Sequence, residues 1–486
     1  MRYTLIFLLV FFVSFISNAQ YFNKRYDFAN GHDGGNTVIE VSDGYIIAGA
    51  GEDSLAINNI GILKIDLNGN EIWKKRHNPP ESYSFFTGSL ESMTKTSDGY
   101  FLSTGSVTDT LGFSNIYLFK FDENGDSVWF KEFDLGVNEI GYSCIDKDGS
   151  YLVIGFSYSG TGTADMLLLK VNSSGTYLWH QTYGGSMWER GNTVVPCYDG
   201  GYILGGYSNS FTVDNNYDNF VVKTDSLGNE EWSKTFGGPF GDASAHVIQT
   251  LDSNYVVASK ITKYELSGYP QSKARLIKID SIGSIIWSKE YGSAELGGGL
   301  LSVKELCDGN ILVLGQGNDG LGSPSPANGY PHGVLLKTNS EGDSLWYNIY
   351  EHCTELEAQN YLRHFTPTSD DGIVACGFVS PGAACGGTQD MWIIKLDGDG
   401  NETGFKPITS EKGLMSVYPN PATGKFSIKV TNINANHCIS LYNQLGVKIK
   451  ETKVMNELTT VNVSHLPNGI YFLQVGEETK KFVVSR

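Results

Sequence analysis

The chain has 486 residues, 58 of them glycine, with 12% aromatic and only 18% charged side chains. It is too long for one ordinary core unless that core is a repeat or a ring, and its aromatic content with sparse charge excludes a disordered chain. The net charge is −18, of which residues 415–486 hold +4 and the rest −22. Such an acidic body excludes nucleic acid as a partner and charge-driven docking on anionic lipid, leaving cations, neutral glycans or basic partners.

Residues 1–19 have the pattern of a signal peptide. Arg2 supplies the positive region, Leu5 to Ile16 is an apolar run interrupted by Ser14, and Ser17 and Ala19 are small residues before a cleavage expected ahead of Gln20. The run is too short to span a bilayer. No cysteine follows the cut, so no lipid anchor is expected, and no second long apolar stretch suggests a transmembrane segment.

From residue 20 to 404 the chain repeats. One landmark is a turn of the Asp-Gly type before an apolar strand: Asp43-Gly44, Asp98-Gly99, Asp148-Gly149, Asp199-Gly200, Asp308-Gly309 and Asp371-Gly372, with a degenerate fifth copy, Asp252-Ser253-Asn254. The second is Lys-x-Asp/Asn-x-x-Gly-x-x-x-Trp, at Lys64–Trp73, Lys120–Trp129, Lys170–Trp179, Lys223–Trp232, Lys278–Trp287 and Lys337–Trp346. A seventh copy, from Lys395, has Gly404 where Trp would stand. Each unit contains four strand-like runs, in the first unit near Asn36–Val41, Tyr45–Gly49, Gly61–Asp66 and Glu71–Arg76. Asp-Gly turns suit tight hairpins because their central residues need positive φ. Four antiparallel strands in every 50–63 residues predict a propeller blade, and seven units predict a seven-bladed ring. The recurring Trp is its expected packing anchor between blades, and the small residues of the second strand, as in Ala48-Gly49-Ala50, are expected where blades converge. The run Phe22-Asn23-Lys24-Arg25-Tyr26 matches the Trp-x-Lys-x-aromatic strand that the seventh unit lacks. Residues 21–28 are therefore expected to complete the last blade and leave no open edge.

The Asp-Gly and Asp-x-x-Gly turns are short and share one face of such a ring. The long, varied connections, 76–90, 207–219, 260–274, 316–332 and 350–363, share the other, and long loops on a rigid scaffold carry function. Aromatics there that could stack on a ligand are Tyr83, Phe86, Trp188, Tyr217 and Tyr330. An acid recurs before the first strand of most units: Asp33, Glu139, Glu189, Asp242 and Glu295. Repetition would set these five around one mouth of the channel, where converging carboxylates could hold Ca²⁺; the alternative is that each accepts backbone N–H bonds and fixes its own turn. His32, His246, His332, His352 and His364 lie in or near the long-loop face without zinc spacing. Seven cysteines permit disulfides in an exported chain, Cys376–Cys385 or Cys353–Cys385 being the local options. There is no nucleophile elbow and no phosphate-binding glycine loop, and no catalytic residue stands out.

The repeat resembles the Asp-Gly-Gly-Tyr and Trp-x-Lys-x-Tyr-Gly-Gly propeller repeats of exported bacterial proteins, a likeness carried best by Tyr202, Trp232 and Phe236-Gly237-Gly238. Its Asp-x-x-Gly-x-x-x-Trp element is similar to the tryptophan-docking repeat of quinoprotein dehydrogenases, where it is structural and implies no quinone.

A linker is expected at 405–414. Short alternating strands over 415–486, at Phe426–Val430, Ile439–Tyr442, Thr459–Val463, after Gly469 and at Lys481–Val484, predict a small β-sandwich. Tyr418-Pro419-Asn420-Pro421-Ala422-Thr423-Gly424 and Leu466-Pro467-Asn468-Gly469-Ile470-Tyr471, at the extreme C-terminus, resemble the type A sorting domain of the type IX secretion system. That resemblance implies a partnership with the secretion machinery, then release or attachment at the outer surface. The sequence thus reads as an all-β protein, a seven-bladed β-propeller followed by a small sandwich, acting as a binding or adhesion module for a glycan or protein. The competing readings are a secreted carbohydrate-active enzyme using the long-loop face and a structural surface protein without a small ligand.

Overall fold

The computed structural model describes residues 21–28, 31–53, 58–78, 84–136, 138–158, 162–212, 214–242, 245–264, 270–291, 300–318, 331–353, 358–380, 387–402, 415–420, 422–430, 438–443, 448–453, 458–464, 466–475 and 478–485. Residues 1–19, the expected linker 405–414, Tyr83, Glu295, Tyr330 and Pro421 lie outside the described residues.

Seven antiparallel sheets follow one another as meanders. Blade 1 runs Asp33–Val41, Gly44–Glu52, Asn58–Asp66 and Glu71–His77. Blade 2 has a divided first strand, Ser84–Phe86 and Met93–Lys95, both paired with Phe101–Thr108. In each blade the first strand lies nearest the axis, which brings blade 7 and blade 1 together through Thr366 Oγ1 donating to Val38 O at 2.8 Å, and blades 1 and 2 through Asn36 Nδ2 donating to Thr87 O at 3.0 Å. The middle strands are apolar on both faces because both faces are covered by neighbouring blades. Leu102, Ile116 and Leu118 of blade 2 pack in one cluster with Cys144, Val153, Leu167 and Leu169 of blade 3.

Both sequence landmarks have a structural cause. Five of the seven motif lysines are buried inside their blades, and Lys170 and Lys337 are half-buried. Lys64, Lys120, Lys223, Lys278 and Lys395 place their ammonium groups 2.6–3.0 Å from Asp43, Asp98, Asp199, Asp252 and Asp370, the acids of their own blades' first turns. The acid of each Asp-x-x-Gly turn folds back on its own backbone. Oδ1 of Asp66, Asp122, Asp225, Asp280 and Asp397 accepts the amides two and four residues on, at 2.8–3.0 Å.

The glycine ending that turn has φ between +71° and +82° and lies beneath the Trp of the preceding blade. A Cβ on Gly125, Gly175, Gly228, Gly283, Gly342 or Gly400 would stand 2.7–3.2 Å from the indole of Trp73, Trp129, Trp179, Trp232, Trp287 or Trp346 respectively. These indoles are half-buried clasps on the outer rim, while aliphatic and phenyl side chains fill the gap between blades. Phe22 covers Gly69 in the same way, at 2.8 Å. Its strand, Phe22–Tyr26, pairs antiparallel with Asp390–Leu396, Phe22 opposite Lys395, so the last sheet takes strands from both ends of the repeat region.

Residues 415–485 form a second all-β unit. One sheet contains Met415–Tyr418, Lys425–Val430 and Leu458–Asn462; the other contains Lys448–Lys453, Cys438–Asn443, Gly469–Val475 and Glu478–Val484. Phe426, Ile428, Leu441, Leu473 and Phe482 fill the space between them. The sorting-motif residues hold its turns. Asn420 Oδ1 accepts Val483 N–H at 2.8 Å, Gly424 O accepts Val463 N–H at 2.9 Å, and Tyr471 OH donates to Pro467 O at 2.9 Å. Tyr418 ends the first strand opposite Ser427, Pro419 begins the turn, and Gly469 opens its own strand opposite Val484. Cys353 is disulfide-bonded, whereas Cys376 is free and buried between strands of blade 7, which removes the Cys376–Cys385 option. Among the described residues, no helix is long and apolar enough to cross a membrane.

Candidate functional site

The first strands of blades 1, 3, 4, 6 and 7 share an irregularity. Each slips by one residue against its partner, at Asn36, Tyr142, Asn192, Leu301 and Arg363. The extra residue of a bulge has no cross-strand partner and bends the strand. Small residues in the second strand make room for it: a Cβ on Gly49, Gly155, Gly206 or Gly377 would lie 1.8–1.9 Å from Gly34 O, Ile140 O, Arg190 O or Tyr361 O. Because these strands surround the axis, the bulged residues gather at the channel.

On the long-loop face Tyr142, Asn192 and Leu301 line a pocket of about 650 Å³ with Phe86, Ser89, Leu90, Arg190, Tyr207 and Tyr217. Its walls are aromatic and mutually braced. Tyr207 and Tyr217 meet edge-on at 5.4 Å between centroids, Phe86 meets Tyr142 at 5.6 Å, and Tyr142 meets Phe156 at 5.6 Å. The Arg190 guanidinium lies over Phe156 at 4.5 Å and near the Trp188 ring at 5.4 Å, and its Nη1 donates to Tyr142 OH at 3.4 Å. Burial pushes the phenols of Tyr142 and Tyr207 above their ordinary range, with Arg190 partly opposing it, so both remain neutral hydroxyls.

Two of the sequence-selected aromatics, Phe86 and Tyr217, line this pocket, and a third, Trp188, stands behind its Arg190. Sequence reasoning missed Tyr142, Arg190, Asn192 and Tyr207. A recurring signal was available in Asp33-Gly34-Gly35-Asn36-Thr37, Glu139-Ile140-Gly141-Tyr142-Ser143 and Glu189-Arg190-Gly191-Asn192-Thr193, where an acid, a glycine and a hydroxyl residue frame the bulge.

Among the described residues, no group of side chains placed to share a metal ion contains more than one of the recurring acids. Asp33, Glu139, Glu189 and Asp242 are each fully buried. Asp33 accepts the amides of Phe28 at 2.6 Å and Glu52 at 3.1 Å. Glu189 accepts Gly185 N–H at 2.9 Å and Ser208 Oγ–H at 2.5 Å. Asp242 accepts Thr262 N–H at 2.5 Å, and Glu139 accepts Leu135 N–H at 3.4 Å. Each of the four carboxylates accepts at least one backbone N–H and so fixes local structure. Among the described residues, Asp27, Asp33 and Asp390 bring ligand atoms within 4.8 Å of one another. Arg25 Nε already lies 2.7 Å from Asp390 Oδ2. Burial outweighs the two amide bonds and pushes the Asp33 carboxyl up to about 6.

A second polar cluster crosses the axis. Lys304 Nζ of blade 6 lies 2.6 Å from Glu91 Oε1 of blade 2, at a residue with φ +58°. His364 of blade 7 has Nε2 3.8 Å from the same oxygen. Its Nδ1 accepts Val38 N–H at 3.2 Å, so Nδ1 carries no proton and Nε2–H faces Glu91. A ring in this tautomer has no free lone pair on Nε2 for a metal. Burial holds His364 down to about 3. Burial alone would raise Glu91; Lys304 and the charges around it outweigh this and hold its carboxyl well below the usual range. The cluster reads as a charge-paired strut across the ring.

Comparison with known proteins places the two parts of the chain differently. β-Agarase A of Zobellia galactanivorans is 26% identical over 154 residues, which is 31% of this chain and 28% of that protein. The chain thus matches under a third of that relative's length. Among solved structures, a Dyadobacter fermentans protein of unknown function aligns with 66% of this chain and 98% of its own at 9% identity and a TM-score of 0.43. PorZ, a surface component of the type IX secretion system of Porphyromonas gingivalis, aligns with 91% of this chain and 69% of its own at 13% identity and a TM-score of 0.28. Residues 416–485, which build the small sandwich, match the family described as the secretion system C-terminal sorting domain. A β-propeller that ends in this domain is an exported protein of the type IX route, sent to the cell surface or the extracellular space.

Proposed function

We propose that this exported propeller binds a saccharide in the axial pocket of its long-loop face. The observation that supports the reading is the pocket wall. Phe86, Tyr142, Tyr207 and Tyr217 offer ring faces and edges around about 650 Å³, with Asn192 and Arg190 as convergent polar groups. That volume and lining fall within the range of ligand pockets, which are mostly apolar with a few placed polar groups. Sugar rings present C–H faces that pack on aromatic rings and hydroxyls that need such partners. Binding is favoured over glycoside hydrolysis because, among the described residues, no carboxylate lines the pocket, whereas that hydrolysis ordinarily uses two flanking carboxyl groups.

The test is a glycan array followed by calorimetric titration with the full mature chain. At least one oligosaccharide class is expected to bind, and Tyr217→Ala and Tyr207→Ala are each expected to weaken it about tenfold without lowering the melting temperature appreciably. A mature, folded chain that retains no oligosaccharide would remove the reading.

A further inference from the structure

We infer that the saccharide taken by this pocket is an acidic one, whose carboxylate lies against the edge of Arg190. This rests on the saccharide reading above and narrows it. Among the described residues, Arg190 is the one charged side chain lining the pocket. In a chain whose residues outside 415–486 sum to −22, a guanidinium has no shortage of carboxylates to pair with, yet among the described residues none pairs with this one. Its side-chain hydrogen bonds go to phenols, Tyr142 at 3.4 Å and Tyr207. Glu189, next in the chain, is turned away and held by Gly185 N–H and Ser208 Oγ–H. The contrast with Arg25 is direct, because that guanidinium meets Asp390 at 2.7 Å.

What holds Arg190 is the pair of rings beneath it, Phe156 at 4.5 Å and Trp188 at 5.4 Å. Stacking steadies a guanidinium through its face and leaves its charge uncompensated and its N–H edge available. A half-buried, stacked and unpaired guanidinium is pre-organised for a planar oxyanion, which it grips with two parallel N–H bonds. The neutral hydroxyls of Tyr142 and Tyr207, beside it, can donate to the remaining carboxylate lone pairs. The aromatic walls then take the faces of the sugar that bears the acid. The acidic protein body gives no long-range attraction for such a ligand, so selection falls to this local contact, within a Debye length of roughly 8 Å.

The experiment titrates the full mature chain with oligogalacturonate, its methyl ester, a neutral galactose oligomer of equal length, and a sulfated galactose oligomer. The free acid is expected to bind about tenfold more tightly than its ester or the neutral oligomer. Arg190→Gln is expected to abolish that preference while leaving residual binding of the neutral oligomer, and Arg190→Lys to recover only part of it because lysine lacks the fork. Unchanged melting temperatures exclude misfolding as the cause. Equal affinity for acid and ester, a preference that survives Arg190→Gln, or a preference for the sulfated oligomer over the uronate overturns the inference. In those cases saccharide binding itself survives. Failure of all four oligomers, together with an empty glycan array, overturns the saccharide reading and this inference with it.

Discussion

Asp218 and Asp242 show how one position in the repeat tunes the junction between blades. The residue five before each motif lysine is Asn59, Asn115, Asp165, Asp218, Lys273, His332 and Asp390 in turn. At the junction of blades 4 and 5, Asp218 meets the recurring acid Asp242, and Oδ1 of the one and Oδ2 of the other are buried without a partner. A Cβ on Gly237 would lie 2.0 Å from the Asp218 carboxyl, so the glycine after Phe236 opens the space for it. Burial, and then the charge of Asp242, push the Asp218 carboxyl from 3.8 to about 6. A carboxyl raised in this way stabilises the fold fully below its unfolded value of 3.8, and that contribution is lost as the pH rises through about 6. Asp218→Asn, which installs the residue used by blades 1 and 2, is therefore expected to raise the melting temperature at pH 7.5 and to make little difference near pH 4. Such a displacement corresponds to at most about 3 kcal/mol, and solvent screening brings the gain nearer 1 kcal/mol. Calorimetric melts of both proteins across that range check the sign. The recurring acids were legible in the sequence as a repeat. Their destination was not, because a carboxylate's partners here are amides and acids 5 to 24 residues away whose approach depends on how blades meet.

At the scale of the element, the Asp-x-x-Gly turn and the Trp that covers it make a testable pair. Gly228 has φ +82°, and a Cβ there would stand 2.8 Å from the indole of Trp179. Gly99 has φ +89° with nothing within 4 Å. Both alanine variants bear the backbone penalty of the left-handed region, about 1 kcal/mol. Only Gly228→Ala must also displace the clasp to the next blade. Denaturant unfolding is expected to show a loss near 1 kcal/mol for Gly99→Ala and roughly 2–4 kcal/mol for Gly228→Ala. Equal losses would mean that the indole contact contributes nothing. This element was readable in advance because its parts recur at fixed spacing within ten residues. The inner-strand bulge was not, since Gly141-Tyr142 and Gly191-Asn192 look like ordinary strand residues until the register with the second strand is known. His246 and His364 lie on the first strands of their blades, His246 at the start of its strand.

For the molecule as a whole, closure is the property on which the rest depends. Strand Phe22–Tyr26 supplies the outer edge of blade 7, and Tyr26 OH donates to Gly69 O of blade 1 at 2.7 Å. Removing residues 21–28 opens the ring at one junction and bares a strand edge. The whole propeller is expected to melt lower, by something on the order of 5–10 °C, in a single transition if the ring is one cooperative unit. A scanning-calorimetry trace unchanged by the deletion would show that the ring does not need this clasp.

The sequence by itself determined the number of blades, their strand composition, the clasp residues and the export domain. Each is written in local patterns repeated at near-constant intervals, and local backbone preference enforces them. Only the tertiary structure decided what stands at the axis. Glu91 meets Lys304 across 213 positions, and Arg363 meets Asn36 across 327. The pocket takes Phe86, Tyr142, Arg190 and Tyr217 from three successive blades. Such groups share no periodicity with one another. They are brought together by the radial arrangement of the sheets and by a one-residue slip in strand register, which turns a side chain out of the sheet toward the channel.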